Sequence, residues 1–230
     1  MLIVSDLDLS YGRVRALRGV SLTVPDGGSV AILGANGAGK SSLLRAISGL
    51  ARPARGTITW EGQDITGRPA HRIVRAGLAH VPEGRAMIAR LSVHENLLMG
   101  AYIAPRAEAS ERVEEMIELF PSLRRRLKVA ADRLSGGEQQ MLAIARGLMS
   151  RPRLIAIDEP SMGLAPAVAD TVLEGLRQVH ERGTAVLLVE QNAALALRLA
   201  DDLVLLSHGE VANSGPARQL ADEVMAAYTH

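Results

Sequence analysis

The sequence predicts an α/β protein built around a mostly parallel sheet. Short apolar runs bounded by Gly, Pro or Asp alternate with longer segments of helical periodicity, as in strand–helix–strand units. Three runs, at residues 30–33, 154–157 and 185–189, are almost entirely apolar. Strands that are covered by helices on both faces have this composition. We therefore expect these three runs to form the middle of the sheet.

Helices are predicted next to these strands. The first strand leads into a glycine-rich segment and then into a helical pattern over residues 41–50, with Gly49 near its end. Residues 168–182 fit a crossover helix that ends at Gly183, because glycine readily takes the left-handed conformation that follows a helix. A crossover of this kind is what two neighbouring parallel strands require.

Antiparallel structure is predicted at both ends of the chain. Residues 2–24 and 56–60 alternate apolar and polar side chains and carry turn residues, which favours an antiparallel edge sheet. Residues 203–206, a turn at Gly209 and residues 211–213 are typical of a closing hairpin.

Residues 85–150 contain only helical patterns. Over residues 108–120, four apolar side chains share one helix face. These are Val113, Met116, Ile117 and Phe120. We interpret the region as an inserted helical lobe, so that residues 1–230 form a single domain. Its core and β subdomain comprise residues 1–84 and 151–230, and its lobe comprises about residues 85–150.

The composition excludes several function classes. The 26 Lys and Arg residues nearly balance the 25 Asp and Glu residues, so no overall field attracts nucleic acid. The basic run Arg124-Arg125-Arg126 with Lys128 is a candidate phosphate or lipid contact, but a solvated face is the favoured interpretation. The chain has no cysteine, no apolar stretch of 18 residues and no basic, apolar leader at its first residues. We expect a cytoplasmic location.

Residues 34–41 match the phosphate-loop pattern G-x-x-x-x-G-K-[ST] between a predicted strand and a predicted helix. Backbone N–H groups of such a loop point at phosphate oxygens, and the helix N-terminus adds a positive dipole end. Lys40 is expected to reach the β- and γ-phosphates, and Ser41 to ligate Mg²⁺. The residues expected to bind ATP here are Gly34, Ala35, Asn36, Gly37, Ala38, Gly39, Lys40, Ser41 and the adjacent Ser42.

Two carboxylates, Asp158 and Glu159, end the apolar run 154–157. They fall at the carboxyl edge of the sheet, where ligands bind in open α/β folds. Asp158 is placed to hold Mg²⁺ directly or through water, and Glu159 to orient or activate the attacking water. A helix cap or a plain strand exit before Pro160 is the alternative, and the phosphate loop makes the catalytic interpretation the stronger one.

The segment Leu134-Ser135-Gly136-Gly137-Glu138 opens the helix predicted over residues 138–149. Ser135 is a good N-cap, and a well-capped amphipathic helix accounts for it. Two consecutive glycines weaken a helix start, so we expect that they allow an anion to come close to the backbone.

In this order, these motifs resemble those of ATP-binding cassette (ABC) nucleotide-binding domains, and the resemblance spans essentially all 230 residues. It implies a P-loop NTPase fold and an ATPase that uses ATP and Mg²⁺. It also implies a head-to-tail dimer in which the signature residues Ser135, Gly136, Gly137 and Glu138 act on the ATP of the second ATPase subunit. Tyr11 matches the aromatic residue that stacks on adenine, although sheet packing would explain Tyr11 taken alone.

Three positions depart from the usual family pattern. Glu83 stands where many members have Gln, Ala165 where they have Asp, and Gln191 where they have the switch His. With the string at 134–145, these departures resemble the smaller ATPase subunit of branched-chain amino acid importers. Glu83 is then a further Mg²⁺ ligand or a partner of Arg85. Lys40, Glu159 and Gln191 are the expected catalytic residues, and Gln191 can donate to the γ-phosphate but cannot titrate.

The resemblance therefore implies the motor subunit of an importer on the inner face of the cell membrane. Its partners would be a second ATPase subunit in a homo- or heterodimer, permease subunits and, indirectly, a substrate-binding protein. Nucleic acid is not an expected partner. The alternatives are an importer ATPase for urea or short amides and a soluble ABC ATPase of the iron–sulfur assembly type.

Overall fold

The computed structural model describes residues 1–84 and 86–228, and side chains up to residue 226. Within these residues, ten strands form two sheets. The strands are β1 (Leu2–Tyr11), β2 (Val14–Val24), β3 (Ser29–Leu33), β4 (Arg55–Trp60), β5 (Gln63–Asp64), β6 (Leu78–Val81), β7 (Leu154–Asp158), β8 (Ala185–Glu190), β9 (Asp202–Ser207) and β10 (Glu210–Pro216). The α-helices of the same residues are α1 (Lys40–Ile47), α2 (Ala70–Arg75), α3 (Val93–Gly100), α4 (Ala109–Leu119), α5 (Gly136–Leu148), α6 (Pro166–Glu181), α7 (Ala193–Leu197) and α8 (Ala217–Tyr228).

The larger sheet has six strands in the order β10-β9-β3-β8-β7-β6. All neighbours are parallel except β10 and β9, which form the predicted closing hairpin. The three apolar runs lie side by side as β3, β8 and β7, and every residue of these strands is buried. The prediction of a mostly parallel sheet with these runs at its centre is confirmed.

The antiparallel strands near the N-terminus form a sheet of their own, in the order β2-β1-β4-β5. Strand β3 contributes to two cores because its side chains alternate between the faces of the larger sheet. Val30 and Ile32 pack in a core shared with the smaller sheet and α1. Ala31 and Leu33 pack in a second core with the helices on the opposite face. The predicted antiparallel sheet is therefore present and covers one face of the larger sheet.

Among the described residues of 85–150, regular structure consists of α3, α4, α5 and three short 3₁₀ helices. The 3₁₀ helices are Arg106–Glu108, Pro121–Arg126 and Ala131–Arg133. The four apolar residues predicted to share a face at 108–120 are buried, and Phe120 closely approaches Gly175 of α6. The division of the chain into a core and a lobe at residues 84 and 151 remains a prediction.

Helix α1 is shorter than predicted. It ends at Ile47 rather than at residue 50, because Gly49 takes a left-handed φ of 73°. A Cβ atom at Gly49 would lie 2.2 Å from the Arg68 carbonyl oxygen, so the close approach also requires glycine. In the described part of the chain, no helix combines the length and the apolar character needed to cross a bilayer.

The predicted basic run is a solvated surface held by ion pairs. Arg124 bonds to Glu114, and Arg126 to Glu138, with both arginine side chains at least half exposed. The interpretation of this run as an ordinary charged face is consistent with these contacts.

Candidate functional site

The phosphate-loop motif connects β3 to α1, as the sequence predicts. Gly34 needs its missing side chain, because a Cβ atom there would lie 2.4 Å from the Leu206 carbonyl oxygen. Gly39 has φ 109°, and a Cβ atom there would lie 2.6 Å from the Ala16 carbonyl oxygen. The turn between β9 and β10 also holds the loop, since the Gly209 N–H donates to the Ala38 carbonyl at 2.9 Å. Segments distant in sequence thus pack behind this loop.

The main cavity of the site, of about 420 Å³, opens in front of the loop. Its lining combines loop residues with side chains from β2 and from the ends of β6 and β7. The lining residues are Val14, Arg15, Ala16, Asn36, Gly37, Ala38, Gly39, Lys40, Ser41, Ser42, Glu83, Glu159 and Met162. The cavity therefore brings together most of the predicted loop residues and two of the predicted carboxylates.

Lys40 is almost fully buried at the first position of α1. Its Nζ donates to the carbonyl oxygen of Gly34 at 2.7 Å and to that of Ala35 at 3.3 Å. The same ammonium lies 3.2 Å from Glu159 Oε1, and both side chains are more than 90% buried. The positive charge of the site is thus fixed in place by the loop backbone and balanced by one carboxylate.

Asp158 ends β7 as a buried side chain whose Oδ1 has no hydrogen-bond partner. Burial raises the pKa of Asp158, the neighbouring Glu159 and Glu83 charges raise it further, and a hydrogen bond with Ser41 and the charge of Lys40 oppose the rise. An unpaired buried oxygen beside a hydroxyl is a fitting pair of Mg²⁺ ligands, since this ion takes oxygen donors. No group of three or more acidic or His side chains with metal-binding geometry occurs among the described residues. Mg²⁺ commonly completes its shell with water and phosphate, so it needs only a few protein ligands.

Glu159 has an uncommon backbone. Its φ is 47°, in the left-handed region that non-glycine residues rarely adopt, and its N–H donates to the Val189 carbonyl at 2.9 Å. Its Oε1 accepts from Gln191 Nε2 at 2.8 Å, and the same amide donates to Asn36 Oδ1. Three predicted catalytic residues, Lys40, Glu159 and Gln191, are therefore joined in one network. They meet because β3, β7 and β8 are adjacent, with Leu33 opposite Glu190 and Asp158 opposite Val189.

Two further predicted residues lie at the margins of the site. Glu83 is exposed and lines both the main cavity and an adjoining one of about 450 Å³, which Ser41 and Asp158 also line. The alternative pairing of Glu83 with Arg85 lies outside the described residues. Tyr11 is 44% exposed at the end of β1 and is not among the residues that line the main cavity.

The signature segment caps α5. The Ser135 hydroxyl accepts from the Glu138 N–H at 3.3 Å, and the Glu138 carboxylate accepts from the Ser135 N–H at 2.9 Å, which is a capping box. Ser135 is exposed, and residues 135–138 do not line the main cavity of the same chain. The fold therefore separates this segment from the phosphate loop within one subunit.

The structure gives a separate reason for glycine at position 137. A Cβ atom at Gly137 would lie 2.2 Å from Val168 Cγ1 on α6. Close packing of α5 against α6 inside the chain thus already requires glycine there. The sequence could not show this contact, because Val168 is 31 positions away, and the approach of an anion to Gly137 stays a prediction.

Comparison with known proteins identifies the family. The family model described as "ABC transporter" matches residues 17–162. The chain belongs to the ABC transporter family. It is accordingly an ABC-type ATPase with a P-loop NTPase fold, as the resemblance implies.

Relatives of the ABC family align with most of the chain. The branched-chain amino acid transport ATP-binding protein BraG of Pseudomonas aeruginosa is 44% identical over 92% of this chain and 91% of its own length. The probable branched-chain amino acid transport protein LivF of Archaeoglobus fulgidus is 35% identical over 96% and 94%. The methionine import protein MetN of Thermobifida fusca is 37% identical over 88% of this chain and 64% of its own length.

Among solved structures, a nucleotide-free ATP-binding cassette from an ABC transporter superposes with a TM-score of 0.89 at 26% identity and covers 98% of this chain and 95% of its own. A dimeric bacterial ABC transporter cassette gives a TM-score of 0.87 at 25% identity over 95% and 99%. ABC cassettes bind nucleotide, form dimers and act with transmembrane components, and this chain has their fold throughout.

Gln191 stands where the usual family pattern has the switch histidine, and its predicted role can be tested by Gln191→Ala. We expect kcat for ATP hydrolysis to fall about tenfold, because one neutral hydrogen bond to the reacting phosphate would be lost. Steady-state hydrolysis measures this change, with Gln178→Ala on α6 as the matched glutamine control. Wild-type kinetics in Gln191→Ala would reduce Gln191 to a spacer between Asn36 and Glu159.

Sequence reasoning missed several residues of the ABC site. Val14, Arg15 and Ala16 line the cavity but match no motif, so no pattern could select them. Glu190 is a fully buried acid at the end of β8. The sequence did contain a signal for Glu190, because an acidic residue at the end of a wholly apolar strand must find hydrogen-bond partners.

Proposed function

We propose that this ABC ATPase drives an importer of branched-chain amino acids. The observation that supports this proposal most strongly is the match to BraG, which extends over nine-tenths of both chains. The chain spans only 64% of the MetN protein of Thermobifida fusca, whose printed substrate is methionine. The departures at Glu83, Ala165 and Gln191 support the same branch of the family.

In this proposal, the backbone of residues 34–42 and the Lys40 ammonium bind the phosphates of ATP, and Tyr11 stacks on adenine. Ser41, Asp158 and Glu83 would hold Mg²⁺, which supplies charge neutralisation on the β- and γ-phosphates. Glu159 orients the attacking water, and the Gln191 amide donates to the γ-phosphate. The signature residues 135–138 complete the ATP site of a second ATPase subunit.

A groove of about 310 Å³ supports docking of a permease subunit at the helical region. It lies between β6 and the helices α3 and α5, and exposed apolar side chains line it. These are Ile88, Met99 and Tyr102. A protein that leaves such side chains together at the surface commonly uses them to bind a partner. The proposal places the chain on the cytoplasmic face of the membrane through this contact.

Reconstitution tests the proposal. The chain is co-expressed with its neighbouring permease and ATPase genes, purified in detergent and placed in proteoliposomes with the binding protein. We expect ATP-dependent uptake of leucine, isoleucine and valine. Uptake of urea or short amides in place of leucine would contradict the substrate, and recovery with soluble partners alone would contradict transport.

A substitution in the groove tests the proposed permease contact. Tyr102→Glu should decrease co-purification with the permease at least about tenfold without changing ATP affinity, because it places a charge where the permease would cover an exposed apolar side chain. Ala212→Glu on β10, at the opposite edge of the larger sheet, is the control for the added charge. Equal recovery of both variants with the permease would exclude the groove as the contact.

A further inference from the structure

Glu190 is a buried carboxylate with no role in the mechanism described so far. It is 2% exposed and ends β8, whose six residues are all buried. A charged group in such a place is costly unless hydrogen bonds replace its lost water. The contacts of Glu190 therefore indicate what the residue does in the structure.

Both oxygens of Glu190 accept hydrogen bonds from backbone N–H groups of two different loops. Oε1 accepts from Ser161 at 3.1 Å, and Oε2 accepts from Gln191 at 3.1 Å and from Asn192 at 3.4 Å. Burial raises the pKa of Glu190, while the Ser161, Asn192 and Gln191 donors oppose the rise. Since the carboxylate acts as an acceptor in each of these bonds, its ionised form fits the site.

The first of these loops follows β7 and contains Glu159. A non-glycine residue with a φ of 47° persists only where neighbouring contacts hold it. The Glu159 N–H is held by Val189, and two residues later the Ser161 N–H is held by Glu190. The end of β8 thus holds the left-handed turn at Glu159 itself and again two residues later.

The second loop contains Gln191, whose amide contacts Glu159 Oε1 at 2.8 Å. Its backbone is anchored to the oxygen of Glu190 that does not bind Ser161. One carboxylate consequently sets the distance between the loop that carries Glu159 and the loop that carries Gln191.

We propose that Glu190 is a positioning residue for ATP hydrolysis, which keeps the Glu159 carboxylate and the Gln191 amide aimed at the same point. The inference rests on the proposed role of Glu159. A carboxylate suits this task because it accepts at both ends. A glutamine of the same length has one acceptor end and one donor end, so one N–H would face an NH₂ group and one loop would be released.

Glu190→Gln tests the inference in the purified ATPase assembled with its partner subunits. We expect kcat to fall about 10- to 100-fold, since an N–H group loses a charged acceptor and one loop shifts. KM and the affinity for MgATP should stay within about twofold of wild type, because the phosphate loop is untouched. Asp201→Asn is the control, because Asp201 also accepts from a backbone N–H, that of Ser29 at the amino end of β3, whereas Glu190 lies at the carboxyl end of the neighbouring β8.

The Glu190→Gln/Gln191→Ala double variant separates positioning from a general structural role. If Glu190 acts through Gln191 and Glu159, the two losses in kcat should not multiply. Wild-type kcat in Glu190→Gln, or an equal loss of MgATP affinity and thermal stability, would overturn the inference. Glu159→Gln, measured alongside, tests the proposed mechanism separately. Full activity of Glu159→Gln would contradict the mechanism. An inactive Glu159→Gln together with a fully active Glu190→Gln would contradict only the role of Glu190.

Discussion

Glu159→Gln is expected to lower kcat for ATP hydrolysis by about 10²–10⁴-fold, the range that a positioned general base contributes. The amide keeps the shape of the side chain but cannot take a proton from the attacking water. ATP binding should persist or become tighter, because the Lys40 ammonium is no longer balanced by a carboxylate 3.2 Å away. The ATP-bound dimer of two subunits should therefore accumulate.

Single-turnover hydrolysis and equilibrium binding of labelled ATP measure the two halves of this result. Asp158→Asn provides the contrast, since loss of a proposed Mg²⁺ ligand should weaken Mg²⁺-dependent binding as well as turnover. Glu210→Gln, an exposed change on β10, is the neutral control. Unchanged turnover in Glu159→Gln would remove this residue from the mechanism.

Lys40→Met is expected to have the second large effect, and it acts on stability as well as on binding. The Lys40 and Glu159 side chains are only 4% and 8% exposed, so removal of the cation leaves a buried carboxylate without its counter-charge. Breaking such a pair costs about 3–5 kcal/mol. For a chain of this size, the melting temperature should fall by about 10 °C. ATP binding should be lost with it.

The double variant Lys40→Met/Glu159→Gln isolates the cause. Neutralising both partners removes the unpaired buried charge, so most of the lost stability should return while ATP binding stays absent. Calorimetry of the wild type, both single variants and the double variant completes a mutant cycle. If the double variant melts as low as Lys40→Met, the loss comes from packing of the side chain and not from the ion pair.

The sequence predicted the parts of the site that depend on strand order. Apolar runs at β3, β7 and β8 indicate neighbouring strands, and the residues that follow their carboxyl ends must then share one edge. Lys40, Glu159 and Gln191 are therefore expected at the same edge of the sheet. The structure places them in one hydrogen-bonded network. The strand–loop–helix context of the phosphate loop was predictable for the same reason.

Features that depend on side-chain packing between distant segments were not predictable. The contact of Gly137 with Val168 and the bonds of Glu190 to Ser161 arise from the way α6 and the loop after β7 fold back. No periodic or motif signal names the partner in either contact, although the apolar run before Glu190 does indicate a buried acid that needs one. The early end of α1 at Ile47 likewise depends on the contact of Gly49 with the backbone at Arg68.

The support behind the phosphate loop has a consequence for how the protein is made. Gly34 lies against the Leu206 carbonyl, and Ala38 accepts the N–H of Gly209. A growing chain on the ribosome therefore displays the complete glycine motif long before the hairpin that supports it exists. The contacts that hold this loop in its final form therefore become available only after the β9–β10 turn has been synthesised.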